Sequence, residues 1–399
     1  MFPLQSEQTL ICPACSSRNV THVLEFLQVP VHSVKLIRSE SEALQFPRGD
    51  MRLSLCHCCQ FLFNSAFDAN YIDYGEDYES TQSCSATFRQ FHVTLASDLI
   101  SRHHLKRKHI VEVGCGQGEF LNILCELGEN FGLGFDPAYR RQNNEKDSGN
   151  RVQFVAELFS ERHADLGQNC DVLCCKMTLE HIPNVKQFLN VIHETTLKPQ
   201  PLIVFQVPNA QLILRQNAFW DIYYEHCSYF TPYSLERLFR SCGFDVLELN
   251  PIFNDQYLWL EARPVPTVSP MASNDQTQNS ETPLKSCPEV MAKWRQWINM
   301  AERKKIVLWG GGSKAVAFCT NLGIGDRIRY VVDINPRKHD TFLPGGGQSV
   351  GAPEFLKEYR PDHVILMNPN YRDEVEQMLT EFDVVARVRT VVDTPVNPS

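Results

Sequence analysis

The sequence predicts an α/β protein with two doubly wound sheets behind a cysteine-rich lobe. Three observations carry this. An apolar strand, a glycine-rich turn and a helix follow one another from Ile110, and the same grammar returns from Lys305. Between the two passages, strand and helix patterns alternate as a parallel sheet requires. Ahead of both stand two C-x-x-C pairs. A chain of 399 residues divides into two or three domains, and its 43% apolar content suffices for real cores.

The first element is the cysteine lobe. Fifteen cysteines in a chain with neither a basic n-region nor an apolar leader argue against a disulfide framework, and cytoplasmic residence is the default expectation. Most, such as Cys174, Cys175, Cys242 and Cys319, stand in apolar contexts and read as small core residues. Cys12 with Cys15 and Cys56 with Cys59 differ, because two knuckles can bring four thiolates to one tetrahedral ion and close a structural zinc site. His57 and Cys58 are alternative ligands, although C-x-x-C geometry favours Cys56 with Cys59. The wide spacing between the pairs requires the intervening chain to be structured.

Residues 70–83, rich in tyrosine and acids, lead into an expected helix over 85–103. The basic run 102–109 is either a rim for an anionic ligand or a solvated helix face. Then comes E-V-G-C-G-Q-G at 112–118, with Asp136 at the tip of the next strand. Gly114, Gly116 and Gly118, with Cys115 between the first two, let backbone approach a ligand closely, and Asp136 can accept hydrogen bonds from ribose hydroxyls. A dinucleotide site is one reading. Glu112, however, would repel a pyrophosphate and suits a cationic ligand carrying an ammonium and a sulfonium. The turn resembles motif I of class I S-adenosylmethionine-dependent methyltransferases.

Further strands are expected at 152–155, 170–175 and 201–206. After the fourth strand, Met177 is placed to lie against an adenosine and His181 to project toward a substrate cleft, where open α/β sheets keep their sites. Residues 219–232 crowd Tyr223, Tyr224, Glu225, His226 and Tyr229 among aromatics, a mixture that suits a cleft wall better than a solvated loop. A structural hydrogen-bond knot is the alternative. Residues 264–288 turn to Pro, Ser, Thr, Asn and Gln and read as a linker. A helix over 289–303 precedes the second glycine turn, and Asp333 ends that unit's second strand. Whether this unit binds a nucleotide or serves as scaffold stays open, and Lys314 could pair with a phosphate or stand in solvent.

The formal net charge of −9 and scattered basic residues speak against nucleic acid as partner, and no apolar run is long enough for a membrane span, so a small-molecule substrate is expected. Taken together, the cysteine knuckles, motif I, the E-H-I-P segment at 180–183, the 223–230 segment and the C-terminal stretch 309–345 resemble the zinc-module C-methyltransferases, best known for methylating nucleotide-linked 4-keto-deoxysugars. The resemblance implies a zinc-binding lobe (1–69), a Rossmann-like S-adenosylmethionine-dependent methyltransferase domain (70–263), a linker (264–288) and a C-terminal Rossmann-like domain (289–399). It implies that His226 removes a proton beside a ketone, with Tyr223, Glu225 and His181 in support and His181 as second candidate base. Many relatives read Tyr-His-Glu-His where this chain has Tyr-Tyr-Glu-His at 223–226, and the linker is unusually long. An oxygen- or nitrogen-directed methyltransferase, and a binding protein with an idle cofactor site, are the competing readings.

Overall fold

The computed structural model describes residues 10–75, 77–140, 151–163, 169–266, 284–301, 303–325, 327–393 and 395. The predicted interior of the linker, 267–283, lies outside the described residues. Its edges differ from the expectation. Pro264 closes the strand Tyr257–Pro264, and the next helix already begins at Cys287, with Leu284 and Cys287 buried against Trp294.

The central sheet has seven strands. In spatial order they are Phe244–Ile252, Tyr257–Pro264, Leu202–Pro208, Val172–Lys176, His109–Val113, Phe131–Phe135 and Val152–Val155. The five from Leu202–Pro208 to Val152–Val155 pair in parallel, while Tyr257–Pro264 runs antiparallel to both its neighbours. The expected strands at 170–175 and 201–206 are each displaced by one or two residues toward the C-terminus. Val172–Lys176 is buried on both faces, as a continuous apolar run inside a parallel sheet should be. The register aligns Val113 with Phe135 and Cys175, so three strands end at one level. Gly114, Asp136 and Met177 therefore emerge side by side.

The helix Ala86–His103 matches its expected span, and Ser85 caps it by accepting from the Phe88 amide. The run 102–109 is tied to carboxylates. Arg102 pairs with Asp98, Glu248 and Glu261, His103 with Glu261, and Lys108 with Asp171. Arg107 pairs with Glu129 as well, so most of the run's cations are engaged, while Lys106 is exposed.

The lobe is an antiparallel sheet of Val20–Pro30, Arg48–Cys56 and Leu62–Asn64, completed by Ser228–Tyr229 from far along the chain. The C-terminal sheet orders Thr341–Phe342, Ser349–Gly351, Tyr330–Val332, Ile306–Trp309, His363–Leu366 and Arg387–Thr390, parallel except at Thr341–Phe342. One apolar cluster joins Val29, Met51 and Leu53 of the lobe to Trp220, Trp294 and Phe318, so lobe, cleft segment and C-terminal unit share a core. No described helix is long and apolar enough to cross a membrane.

Candidate active site

The two cysteine knuckles have the same backbone turn. Ser16 and Gln60, each directly after the second cysteine of its pair, adopt positive φ, and each donates its N–H to the first cysteine's carbonyl at 2.8 Å. This turns both pairs of thiols inward. Sγ of Cys12 lies 3.6 Å from that of Cys59, Sγ of Cys15 lies 3.5 Å from that of Cys56, and all four sulfurs fall within 4.8 Å of one another. A tetrahedron with metal–sulfur bonds of about 2.3 Å has edges of about 3.8 Å, so the four sulfurs could hold such an ion. His57 bonds Thr21 instead, and Cys58 is exposed near Arg237.

The strand tips open into a cavity of about 870 Å³ lined by all three parts of the chain. At one end lies the glycine turn. Gly114 has φ of 70°, and a Cβ there would stand 1.9 Å from Thr178 Oγ1. Asp136 accepts from the Gly116 and Ala138 amides at 2.8 Å, one to each oxygen, which leaves lone pairs for a ligand's hydroxyls. Met177 also lines this end, and the Cys115 thiol, pushed up by burial, stays neutral.

Glu112 is only 2% exposed, and its Oε2 has no partner. Burial raises its carboxyl to about 7, with Lys176 pulling the other way. The Lys176 ammonium, lowered to about 8 by burial, sits 3.0 Å from His92 Nε2 and 3.6 Å over the Phe120 ring. Burial holds His92 down at about 2, so its imidazole is neutral and accepts. Gln206, also lining the cavity, has both amide atoms unpartnered. A cluster of orphaned polar atoms around one cavity is the signature of a ligand site.

The other end is built on residues 219–232. His226 is buried, its ring centroid 4.2 Å from that of Tyr223 and 4.8 Å from that of His181, and no other described residue hydrogen-bonds its ring. Burial, with His181 and Lys314 adding to it, holds the imidazole well below its usual range, hence neutral. His181 is likewise lowered by burial, and its Nδ1 is 3.0 Å from the Tyr74 hydroxyl. Burial raises the phenols of Tyr74, Tyr78 and Tyr223, which remain protonated donors. Lys314 lines the cavity and is paired with Asp221.

A domain described as a methyltransferase domain matches residues 86–249, and one described as a C-methyltransferase C-terminal domain matches residues 292–393. The C-methyltransferase NovU of Streptomyces niveus is 26% identical over 293 residues, covering 68% of this chain and 69% of that protein. The chain belongs to the S-adenosylmethionine-dependent C-methyltransferases. The ubiquinone biosynthesis O-methyltransferase of Salmonella paratyphi A is 28% identical over 105 residues, 26% of this chain and 43% of that relative. A solved Burkholderia thailandensis 1,6-didemethyltoxoflavin-N1-methyltransferase covers 52% of this chain and 96% of its own at 19% identity and a TM-score of 0.34, too low to bear on function.

The site of this C-methyltransferase gathers most residues expected from its sequence. His226, Tyr223 and His181 line the cavity with Glu112, Gly114, Cys115, Gly116, Asp136 and Met177. Glu225 stands behind it. Its Oε1 accepts from His32 Nδ1 at 2.8 Å, and its Oε2 accepts from the Ser33 amide at 2.9 Å and from the Ser33 hydroxyl. His32 Nε2 accepts from the Asp73 amide, which keeps the His32 proton on Nδ1. Tyr224 also turns away, its hydroxyl accepting from the Asp68 amide. The departure from the family pattern at that position therefore leaves the surroundings of His226 untouched. Reasoning from sequence missed Glu180, Lys176, His92 and Tyr74. Glu180 and Lys176 carried a signal as polar residues of the segment that ends the fourth strand, and Tyr74 in the tyrosine-rich stretch before the first long helix.

Proposed function

We propose that this enzyme methylates the carbon beside the ketone of a nucleotide-linked 4-keto-deoxysugar, with His226 as the base. The observation that carries the reading is a buried, neutral histidine, unbound by any described residue, in the same cavity as the motif I turn. The cofactor supplies an electrophilic methyl group on a sulfonium. Glu112, with an unpartnered oxygen, faces the ammonium of its methionine part, and Asp136 takes the ribose hydroxyls. His226 removes the proton, which is too weakly acidic to leave unless donors stabilise the forming enolate. Tyr223 lies against the base and donates from a phenol that stays protonated. His181 is held by Tyr74, and Glu225 holds the segment through His32 and Ser33.

The cavity suits two ligands at once. Its volume is near the upper end of the ~300–1,000 Å³ of single-ligand pockets. It extends to Gly310, Gly312, Ser313 and Asn335 of the C-terminal unit, where a sugar nucleotide's carrier has room. Four thiolates without an open position make the lobe's ion a structural zinc. The division into lobe (1–69), methyltransferase domain (70–263), linker (264–288) and C-terminal domain (289–399) belongs to the same proposal, as does a cytoplasmic location.

The test is incubation with S-adenosylmethionine and a nucleotide-linked 4-keto-deoxysugar, with the product's new bond read by NMR. A carbon-bound methyl group is expected, and His226→Ala abolishes its formation while cofactor affinity by calorimetry stays nearly unchanged. A methyl group on oxygen, or normal turnover in that variant, would overturn the assignment.

A further inference from the structure

We propose that Glu180 is a further catalytic residue, its carboxyl group donating a hydrogen bond to the acceptor's keto oxygen as that oxygen becomes an enolate. The inference rests on the carbon-methylation reading above.

Position comes first. Glu180 lies on the turn Leu179–His181 that follows the strand Val172–Lys176, it lines the cavity, and it is 1% exposed. Neither of its carboxyl oxygens has a partner. Folded proteins seldom leave such a group unsatisfied, because an unpaired buried carboxylate costs several kcal/mol. A carboxyl oxygen of Glu180, one ring nitrogen of His181 and one of His226 all lie within 4.8 Å of one another. A ligand atom bound to Glu180 is therefore next to the base.

Charge comes second. The surrounding groups are the phenols of Tyr74, Tyr78, Tyr223 and Tyr257, the thiols of Cys175 and Cys227, and the two imidazoles. Burial raises every phenol and thiol and lowers both imidazoles, so all are neutral at pH 7. The cavity's lysines are engaged elsewhere, Lys314 with Asp221, Lys176 with His92 and Lys338 with Asp333, and burial pushes the Glu180 carboxyl up to about 8. It holds a proton at neutral pH and has a hydrogen bond to give. Carboxylic acids kept neutral by apolar sites serve as oxyanion donors in enolising enzymes. Tyr74 is a poorer candidate because its hydroxyl already engages His181.

The electrons balance without an added reagent. His226 takes the proton on a ring nitrogen, the C–H pair becomes the enolate's carbon–carbon π bond, and the carbonyl π pair moves onto oxygen against the Glu180 O–H. The enolate carbon then bonds the methyl group as the sulfur–methyl bond breaks and sulfur keeps its pair. The ketone re-forms, Glu180 retains its proton, and His226 passes its own to solvent.

The experiment compares full-length wild type, Glu180→Gln and Glu180→Ala. The infrared difference spectrum between wild type and Glu180→Gln should show a protonated carboxyl band at pH 7 that fades above pH 8, and its absence at pH 7 overturns the proposal. With a nucleotide-linked 4-keto-deoxysugar, Glu180→Ala should lose roughly 100- to 1,000-fold in kcat with S-adenosylmethionine affinity retained. Glu180→Gln keeps an N–H donor, so it should lose far less and should lack the wild-type fall in rate above pH 8. Unchanged kcat in Glu180→Ala refutes the role. Lost cofactor affinity in Glu180→Gln would make the residue a partner of the sulfonium instead. A divalent ion retained by wild type, absent from Glu180→Ala and required for turnover would make it a metal ligand. Wild-type protein that methylates no keto sugar removes the carbon-methylation reading itself. The infrared band then still decides whether Glu180 holds the proton a donor needs.

Discussion

Replacing Gly114 by alanine tests the cofactor turn at its tightest point. The backbone there has φ of 70°, which costs a residue with a β-carbon about 1–2 kcal/mol. The new Cβ would meet Thr178 Oγ1 at 1.9 Å and the Thr178 Cβ and Cγ2 at 2.8 Å, so one of the two strand tips must move. Overpacking of this kind costs about 1–3 kcal/mol, for a total of about 2–5 kcal/mol. If the turn absorbs the strain, S-adenosylmethionine affinity falls roughly 30- to 4,000-fold. If the fold absorbs it, the loss appears in denaturant unfolding, so calorimetry and unfolding are measured together. Thr178→Gly removes the whole obstructing side chain. The double variant Gly114→Ala/Thr178→Gly should therefore fall short of Thr178→Gly alone by only the backbone cost. Wild-type affinity and stability in Gly114→Ala, or no rescue by the second change, would refute the close-approach argument.

Glu112→Gln should flatten the pH dependence of cofactor binding. Because burial raises the Glu112 carboxyl to about 7, wild-type affinity for the cation should climb from pH 6 to 8 as the group ionises. The same raised value makes an ionised Glu112 destabilising to the ligand-free protein, a penalty absent below the ordinary carboxylate pKa and complete above pH 7. Glu112→Gln should accordingly raise the ligand-free protein's thermal stability more at pH 8 than at pH 5. Tyr74→Phe removes one hydrogen bond to His181, worth about 0.5–1.5 kcal/mol, and should lower kcat roughly 2- to 12-fold with cofactor affinity intact. Glu225→Ala strands His32 and the Ser33 amide in the interior and should cost about 3–5 kcal/mol in denaturant unfolding. Cys59→Ser should release metal, measured by a chromophoric chelator, and lower kcat more than it weakens cofactor binding.

The central sheet was legible because its signals are local. Apolar strands, a glycine turn and Asp136 lie within one short passage, and backbone rules alone dictate their arrangement. The meeting of the two cysteine pairs was legible for the same reason, since the spacing within each pair is set by one turn. What could not be read were meetings between distant residues. His32 and Ser33 meet Glu225, and Ser33 also meets Ser313 at 2.8 Å, through pairings no periodicity encodes. Glu180 and His181 are neighbours in sequence yet differ in surroundings. The histidine has the Tyr74 hydroxyl, while the acid has nothing, and burial of that degree shows only in three dimensions. Lys314 was ambiguous until Asp221 was seen beside it.

The lobe reaches the neighbourhood of His226 through its sheet. The Cys56–Cys59 knuckle ends at Phe61, whose carbonyl accepts from the Cys56 amide, and the chain passes directly into Leu62–Asn64. That strand pairs with Ser228–Tyr229, and the Asn64 amide donates to the Cys227 carbonyl, one residue after His226. From the other side, the Cys227 thiol reaches the Glu180 carbonyl at 3.6 Å and the Ser228 hydroxyl donates to the Ile182 carbonyl at 3.0 Å. His226 and the Glu180 turn are thus fastened to each other, and both hang on a strand whose start is set by the knuckle. The cofactor turn is anchored chiefly in the central sheet, from which Gly114, Asp136 and Met177 project, and it meets the Glu180 turn through Thr178, whose hydroxyl donates to the Gly114 carbonyl at 3.5 Å. Loosening the knuckle should therefore misplace His226 while leaving the methyl donor's site in order, which is why a change at Cys59 is expected in kcat before it is seen in cofactor binding.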